Sequence, residues 1–122
     1  MPGGNRGLHN GVREMTNALL ALLLSLGILT TRDVVRDMST AAGVDPELAA
    51  CVVTHESNWD TSLVSAAQDT GLFQIIPSTA AWVATQMGLD SYDLTDPVTN
   101  TAMGLWILER YPEWYSTLYL CI

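Results

Sequence analysis

From Thr31 onward, apolar residues return every three or four positions, the period of a helix, and the runs are punctuated by glycine and proline. Val34, Val35, Met38 and Ala42 fall on one face with charges opposite, which predicts an amphipathic surface helix stopped by Gly43. Asp45-Pro46-Glu47 then supplies an N-cap, a proline at the first helical position and an acid in the first turn, so a second helix starts there. It carries Leu48, Ala49, Cys51, Val52 and Val53, is apolar on most of its surface, and runs out near Glu56. Such a helix belongs in the centre of the fold. Residues 57–70 hold no sustained period and several turn formers, which predicts a loop or a short strand pair. A glycine-led apolar turn, Gly71-Leu-Phe-Gln-Ile-Ile, leads to Pro77. There the next helix begins, with Ala80, Val83, Ala84 and Met87 as its stripe and Gly88 as its stop. Asp96 caps a last helix opened by Pro97, which holds Ala102, Leu105, Trp106 and Leu108. It is expected to resume after a break at Tyr111-Pro112 and to run through Glu113–Tyr119.

Ahead of these helices, residues 1–17 are rich in Gly and Asn and carry Arg6 and Arg13, and an uncharged apolar block follows at 18–29. The block is short for a span of about 20 residues and fits the core of an export signal. Residues 1–30 therefore read as a leader or membrane anchor, with a buried first helix as the other reading, and residues 31–122 as the working domain. Export would make the protein periplasmic or extracellular, or leave it membrane-anchored.

The 122 residues allow one small core, and 48% hydrophobic content excludes a disordered chain. The net charge of −8, with five arginines and no lysine, argues against nucleic acid as a partner. It gives no electrostatic help toward any other anionic polymer either. Asp90, Asp93 and Asp96 lack the central glycine and terminal glutamate of a calcium loop and read as a solvated turn. His9 and His55 stand at no familiar metal-binding spacing from Cys51 and Cys121, so no metal and no cofactor are expected. The two cysteines either pair or remain buried thiols.

Glu56 is the candidate for chemistry. A carboxylate in a last helical turn faces the negative end of the macrodipole, and apolar neighbours such as Trp59 and Phe73 would also disfavour its charge. Both effects hold a proton toward neutral pH, as a general acid requires. Taken alone, Glu56 reads first as a solvated helix-end residue. His55 precedes it and points elsewhere on the helix, so it receives no catalytic role.

The neighbourhood decides between these. Gly43-Val-Asp-Pro46, Glu56-Ser57, Ser65, Gly71-Leu-Phe-Gln-Ile75, Pro77-Ser-Thr-Ala80 and Asp96-Pro-Val-Thr-Asn100 followed by Gly104 stand in unbroken order. This series resembles the catalytic domain of the soluble lytic transglycosylases, within the lysozyme-like superfamily, over roughly residues 32 to 119. The resemblance implies a mainly α, α+β lysozyme-like fold, a compact helical domain whose central helix carries the catalytic Glu56, with at most a small hairpin or loop after it. It implies peptidoglycan glycan strands as partner and cleavage of the MurNAc-GlcNAc β-1,4 bond with a 1,6-anhydroMurNAc product. Ser65, Asp69, Gln74 and Tyr119 would bind substrate, and Ser57, Gly71, Phe73 and Asn100 would support the site. Gln74 is otherwise a satisfied core glutamine, and Trp114, Tyr115 and Tyr119 otherwise core aromatics. Two departures stand out. Asp69 occupies a position where the family has a small residue, and the family's Tyr-Asn-Ala-Gly segment is replaced by Leu118-Tyr-Leu-Cys-Ile122, so the domain looks short at its C-terminus. The first leaves open a hydrolytic lysozyme with Asp69 as second carboxylate. The second leaves open a non-catalytic wall-binding or assembly module, virion-associated or within a secretion system.

Overall fold

The computed structural model describes residues 15–122, and the chain divides into two compact units, residues 1–30 and 31–122. In the first unit, residues 15–25 form α1, after which a turn places Gly27 at φ +73°. Leu19, Leu22 and Leu26 are exposed along one side of this segment. Arg6, Arg13 and His9 lie outside the described residues. None of the described helices is long and apolar enough to cross a membrane.

The second unit is helical, and no β-strand occurs among its residues. α2 (Thr31–Ala42) buries Val34, Val35 and Met38, with Ser39 alongside. The Ser39 hydroxyl donates to the Val35 carbonyl, which is how a polar side chain sits on the core face. α3 (Pro46–Ser57) begins where Asp45 Oδ1 accepts the Glu47 N–H at 3.0 Å, and it ends in the left-handed Asn58. Its Ala49, Val52 and Val53 are fully enclosed, so α3 is central. α4 (Pro77–Met87) ends on Gly88 at φ +73°. α5 (Pro97–Arg110) is capped by Asp96, whose Oδ2 accepts the Thr99 N–H at 3.0 Å.

The chain after α5 differs from the helical continuation expected. Two 3-10 segments follow instead, η1 (Pro112–Trp114) and η2 (Ser116–Cys121), neither with a fully buried residue. Pro112 has no N–H to extend the α5 ladder, and Tyr115 between the segments is extended and buried, so side-chain packing sets this path. Cys51 and Cys121 form a disulfide, with Cα atoms 5.8 Å apart, that ties η2 to α3. At the α4–α5–η1 corner, Trp82, Trp106, Tyr111 and Trp114 form an aromatic cluster in which Tyr111 and Trp114 stack at 4.4 Å.

Between α3 and α4, residues 58–76 fold without a regular strand pair. Only isolated antiparallel bridges link Val64 with Thr70 and Thr70 with Ile75. What fixes this loop is Asn100, fully buried on α5. Its Nδ2 donates to the carbonyls of Thr70 at 2.9 Å and Leu94 at 2.8 Å, and its Oδ1 accepts the Phe73 N–H at 2.8 Å. Gly71, at φ +78°, is required there: a Cβ would come within 2.2 Å of Asn100 Nδ2 and 2.4 Å of the Leu94 carbonyl oxygen. Gly104 is equally constrained, since the Phe73 ring lies where its Cβ would be.

Two stability measurements test this account. Asn100→Ala strands two carbonyls and one N–H in the interior, and the urea midpoint should drop by the equivalent of about 3 kcal/mol with an unchanged m-value. Replacing both Cys51 and Cys121 by serine removes a cross-link spanning 70 residues and should cost about 4 kcal/mol by chain-entropy reasoning.

Candidate active site

Glu56 occupies the last turn of α3, one residue before the buried Ser57. Ser57 directs its hydroxyl back to the Val53 carbonyl at 3.1 Å, so its role is to seat the helix end. Asn58 and Trp59 then take φ values of +50° and +67°, a left-handed pair that reverses the chain directly after the carboxylate. Trp59 is held in this turn from two sides. Its indole N–H donates to the Thr54 hydroxyl at 2.9 Å, and the Arg32 guanidinium lies 4.3 Å from its ring centre.

The Glu56 carboxyl is half-buried. Burial is the main reason its pKa rises above the ordinary 4.5, and the negative charge of Asp69 pushes in the same direction. The Thr117 hydroxyl and, more weakly, His55 favour the charged form and oppose the rise. Thr117 Oγ1 is itself buried without a closed hydrogen bond, which leaves the hydroxyl aimed at the carboxyl as a donor in waiting. Tyr115 is almost wholly enclosed. Its phenol is pushed up first by burial and then by the Glu56 charge. Its ring meets Phe73 edge to face at 6.3 Å, and Phe73 in turn rests on Gly104, so α5 and the loop hold the tyrosine against the acid.

The expected substrate-binding residues have different placements. Asp69 comes close enough to Glu56 to raise its pKa, and Asp69 Oδ1 is buried with no hydrogen-bond partner among the described residues. Ser65 faces the same turn: its N–H donates to the Asp69 carbonyl at 2.9 Å, and its Oγ accepts the Asp69 N–H at 3.1 Å. Gln74 takes a left-handed φ of +47°. Its amide nitrogen donates to the carbonyls of Leu63 at 3.0 Å and Gly71 at 2.9 Å, which pins the loop from within. Tyr119, expected to take the place of the family tyrosine, is 75% exposed, and Tyr115 stands beside Glu56 in its stead. Tyr115 is the extended residue that joins η1 to η2 and turns into the core, whereas Tyr119 lies within η2, a segment with no buried residue. Phe73, Gly71 and Asn100 form the wall and its brace.

Two features escaped the sequence. Thr117 joins the site only because η2 is folded onto α3, and no local pattern marks it. His55 does come to the cysteines: its ring nitrogen and the sulfurs of Cys51 and Cys121 lie within 4.8 Å of one another. The spacing of 51 and 55 in one helix was visible, while the approach of residue 121 depends on the tertiary fold.

Comparison with curated proteins and with solved structures found no match. A family model described as "Transglycosylase SLT domain" matches residues 33–122. That span takes in α2 to η2, and with them Glu56, the loop braced by Asn100 and the segment bearing Tyr115 and Thr117. The chain belongs to the transglycosylase SLT domain family, a lysozyme-like family that acts on peptidoglycan.

Proposed function

We propose that the chain is a lytic transglycosylase that cleaves the MurNAc-GlcNAc β-1,4 bond, with Glu56 as its general acid and base. The observation that carries this reading is a half-buried carboxyl, its proton retained by burial and by Asp69, at the end of the central helix of an SLT domain. Glu56 protonates the glycosidic oxygen as the bond to the anomeric carbon breaks. The N-acetyl oxygen of the same muramic residue stabilises the cation that develops, a substrate-assisted route with one protein carboxyl. The Glu56 carboxylate then takes the proton of the C6 hydroxyl, and that oxygen closes onto the anomeric carbon to give the 1,6-anhydro ring. Thr117 and Tyr115 suit the second half, in which the carboxylate carries a negative charge next to hydroxyl groups.

A second reading, hydrolysis with Asp69 as the second carboxylate, is favoured by the unpartnered Asp69 Oδ1 beside Glu56. Product ends separate the two, anhydro in the first case and reducing in the second. The disulfide supports placement outside the reducing cytosol, whether exported, membrane-anchored through residues 18–29 or carried on a virion.

Mass analysis of muropeptides released from purified sacculi should show anhydro products for the wild type and none for Glu56→Gln; retained turnover in that variant would remove Glu56 from its role. The activity should decline as pH rises through the elevated Glu56 pKa, because the first step needs the protonated acid. Asp69→Asn should move that limb to lower pH and Thr117→Val to higher pH, measured as kcat/KM against pH. Folding carries the opposite sign of benefit. Below pH 4.5 both folded and unfolded Glu56 are protonated and nothing is lost; above it the unfolded chain ionises first, so stability falls until the folded group also ionises. Glu56→Gln should therefore raise the urea midpoint at neutral pH and leave it nearly unchanged in acid.

A further inference from the structure

On α3, Cys51 and His55 are four residues apart and project on the same side of the helix. η2 brings Cys121 onto that side, so that two sulfurs and one imidazole nitrogen lie within 4.8 Å of one another. Cys51 and Cys121 are half-buried and His55 is exposed, which leaves the cluster open to small solutes. Beside it runs a groove lined by Asp45, Glu47, Leu48, Leu118 and Cys121, whose two carboxylates attract cations. In the glycan chemistry described above none of these groups touches the substrate, and His55 acts only through its charge on Glu56.

We propose that this cluster is a redox-gated metal site: reduction of the Cys51–Cys121 bridge converts it into a Cys2His site for Zn2+. In the bridged state each sulfur is bonded to the other and neither is a thiolate, so the site is closed. A dithiol reductant opens it by two exchange steps. Its two sulfurs lose two electrons and two protons and join as a cyclic disulfide; Cys51 and Cys121 take up those two electrons and two protons as the bond between them breaks, and end as two thiols. Zn2+ then displaces the two thiol protons to solvent and binds both thiolates together with neutral His55. Two thiolates balance the metal's charge.

The dimensions fit with little movement. Zn–S bonds of about 2.3 Å and Zn–N bonds of about 2.0 Å set tetrahedral ligands roughly 3.5–3.8 Å apart, wider than a disulfide and narrower than the present outer limit. The bridged sulfurs need only part to van der Waals contact, and the His55 ring to turn about its side-chain torsions. The fourth position faces solvent and is filled by water. Bound metal would keep η2 fastened to α3, and with it Thr117 against Glu56, when the covalent tie is absent.

The test uses the full chain, reduced with a dithiol and freed of it under anaerobic conditions. Co2+ serves as the visible probe. The reduced protein should take up one equivalent with the absorption of a tetrahedral thiolate complex, Zn2+ should displace it, and the bridged protein should show neither. His55→Ala, a change at an exposed position, should weaken Co2+ binding at least about tenfold; equal affinity would overturn the assignment. Cys121→His guards against a reduced chain that fails to fold. It cannot form the bridge, keeps three donors without any reductant, and should gain Tm with increasing Zn2+ in a manner reversed by a chelator. A Tm indifferent to Zn2+ in that variant would likewise overturn the proposal.

Discussion

The placement of the loop between α3 and α4 depends on one buried amide. Asn100 stands on α5, yet each of its three hydrogen bonds ends on the backbone of another segment, two on the 70–73 turn and one at Leu94. A loop of 19 residues between α3 and α4 has no sheet to organise it, and a backbone without a ladder must find its partners elsewhere. Asparagine serves because it offers two donors and an acceptor in one rigid plane. Glycine at 71 lets the backbone come within reach of that plane, and Phe73 is then delivered to the bare surface of Gly104. The loop is thus anchored to α5 by contacts far from it in sequence.

Around Glu56 the forces are set against one another. Burial and Asp69 favour the neutral acid, while Thr117 and His55 favour the carboxylate. The proposed acid and base role, giving a proton and then taking one back, would be served by such opposition, since neither form is strongly trapped. The residues responsible come from three separate stretches of chain: α3, the braced loop and η2. Their convergence is a property of the tertiary fold.

The helices were legible because their signals are local. Asp45-Pro46 and Asp96-Pro97 act as caps where the sequence places them, and Gly88 ends α4 in the left-handed conformation. Glu56 at a helix end was legible for the same reason. The segment after Arg110 was not. Its aromatic and apolar residues have helical spacing, but Pro112 and the burial of Tyr115 override the period and produce two 3-10 turns. Gln74 could not be settled from sequence either, because its neighbours in the chain do not reveal that the carbonyls of Leu63 and Gly71 converge on its amide. Thr117 and the pairing of Cys121 with the α3 face depend on that same unpredicted path.

The aromatic corner has a consequence for how this molecule can be watched. Three of the four tryptophans, Trp82, Trp106 and Trp114, belong to that corner, and the fourth, Trp59, lies under a guanidinium. Ultraviolet emission and near-ultraviolet dichroism will therefore be dominated by coupled rings between α4, α5 and η1, with Tyr111 passing excitation into them. An optical melting curve records chiefly the loosening of that corner, and Trp59 is the single tryptophan that reports on the loop between α3 and α4.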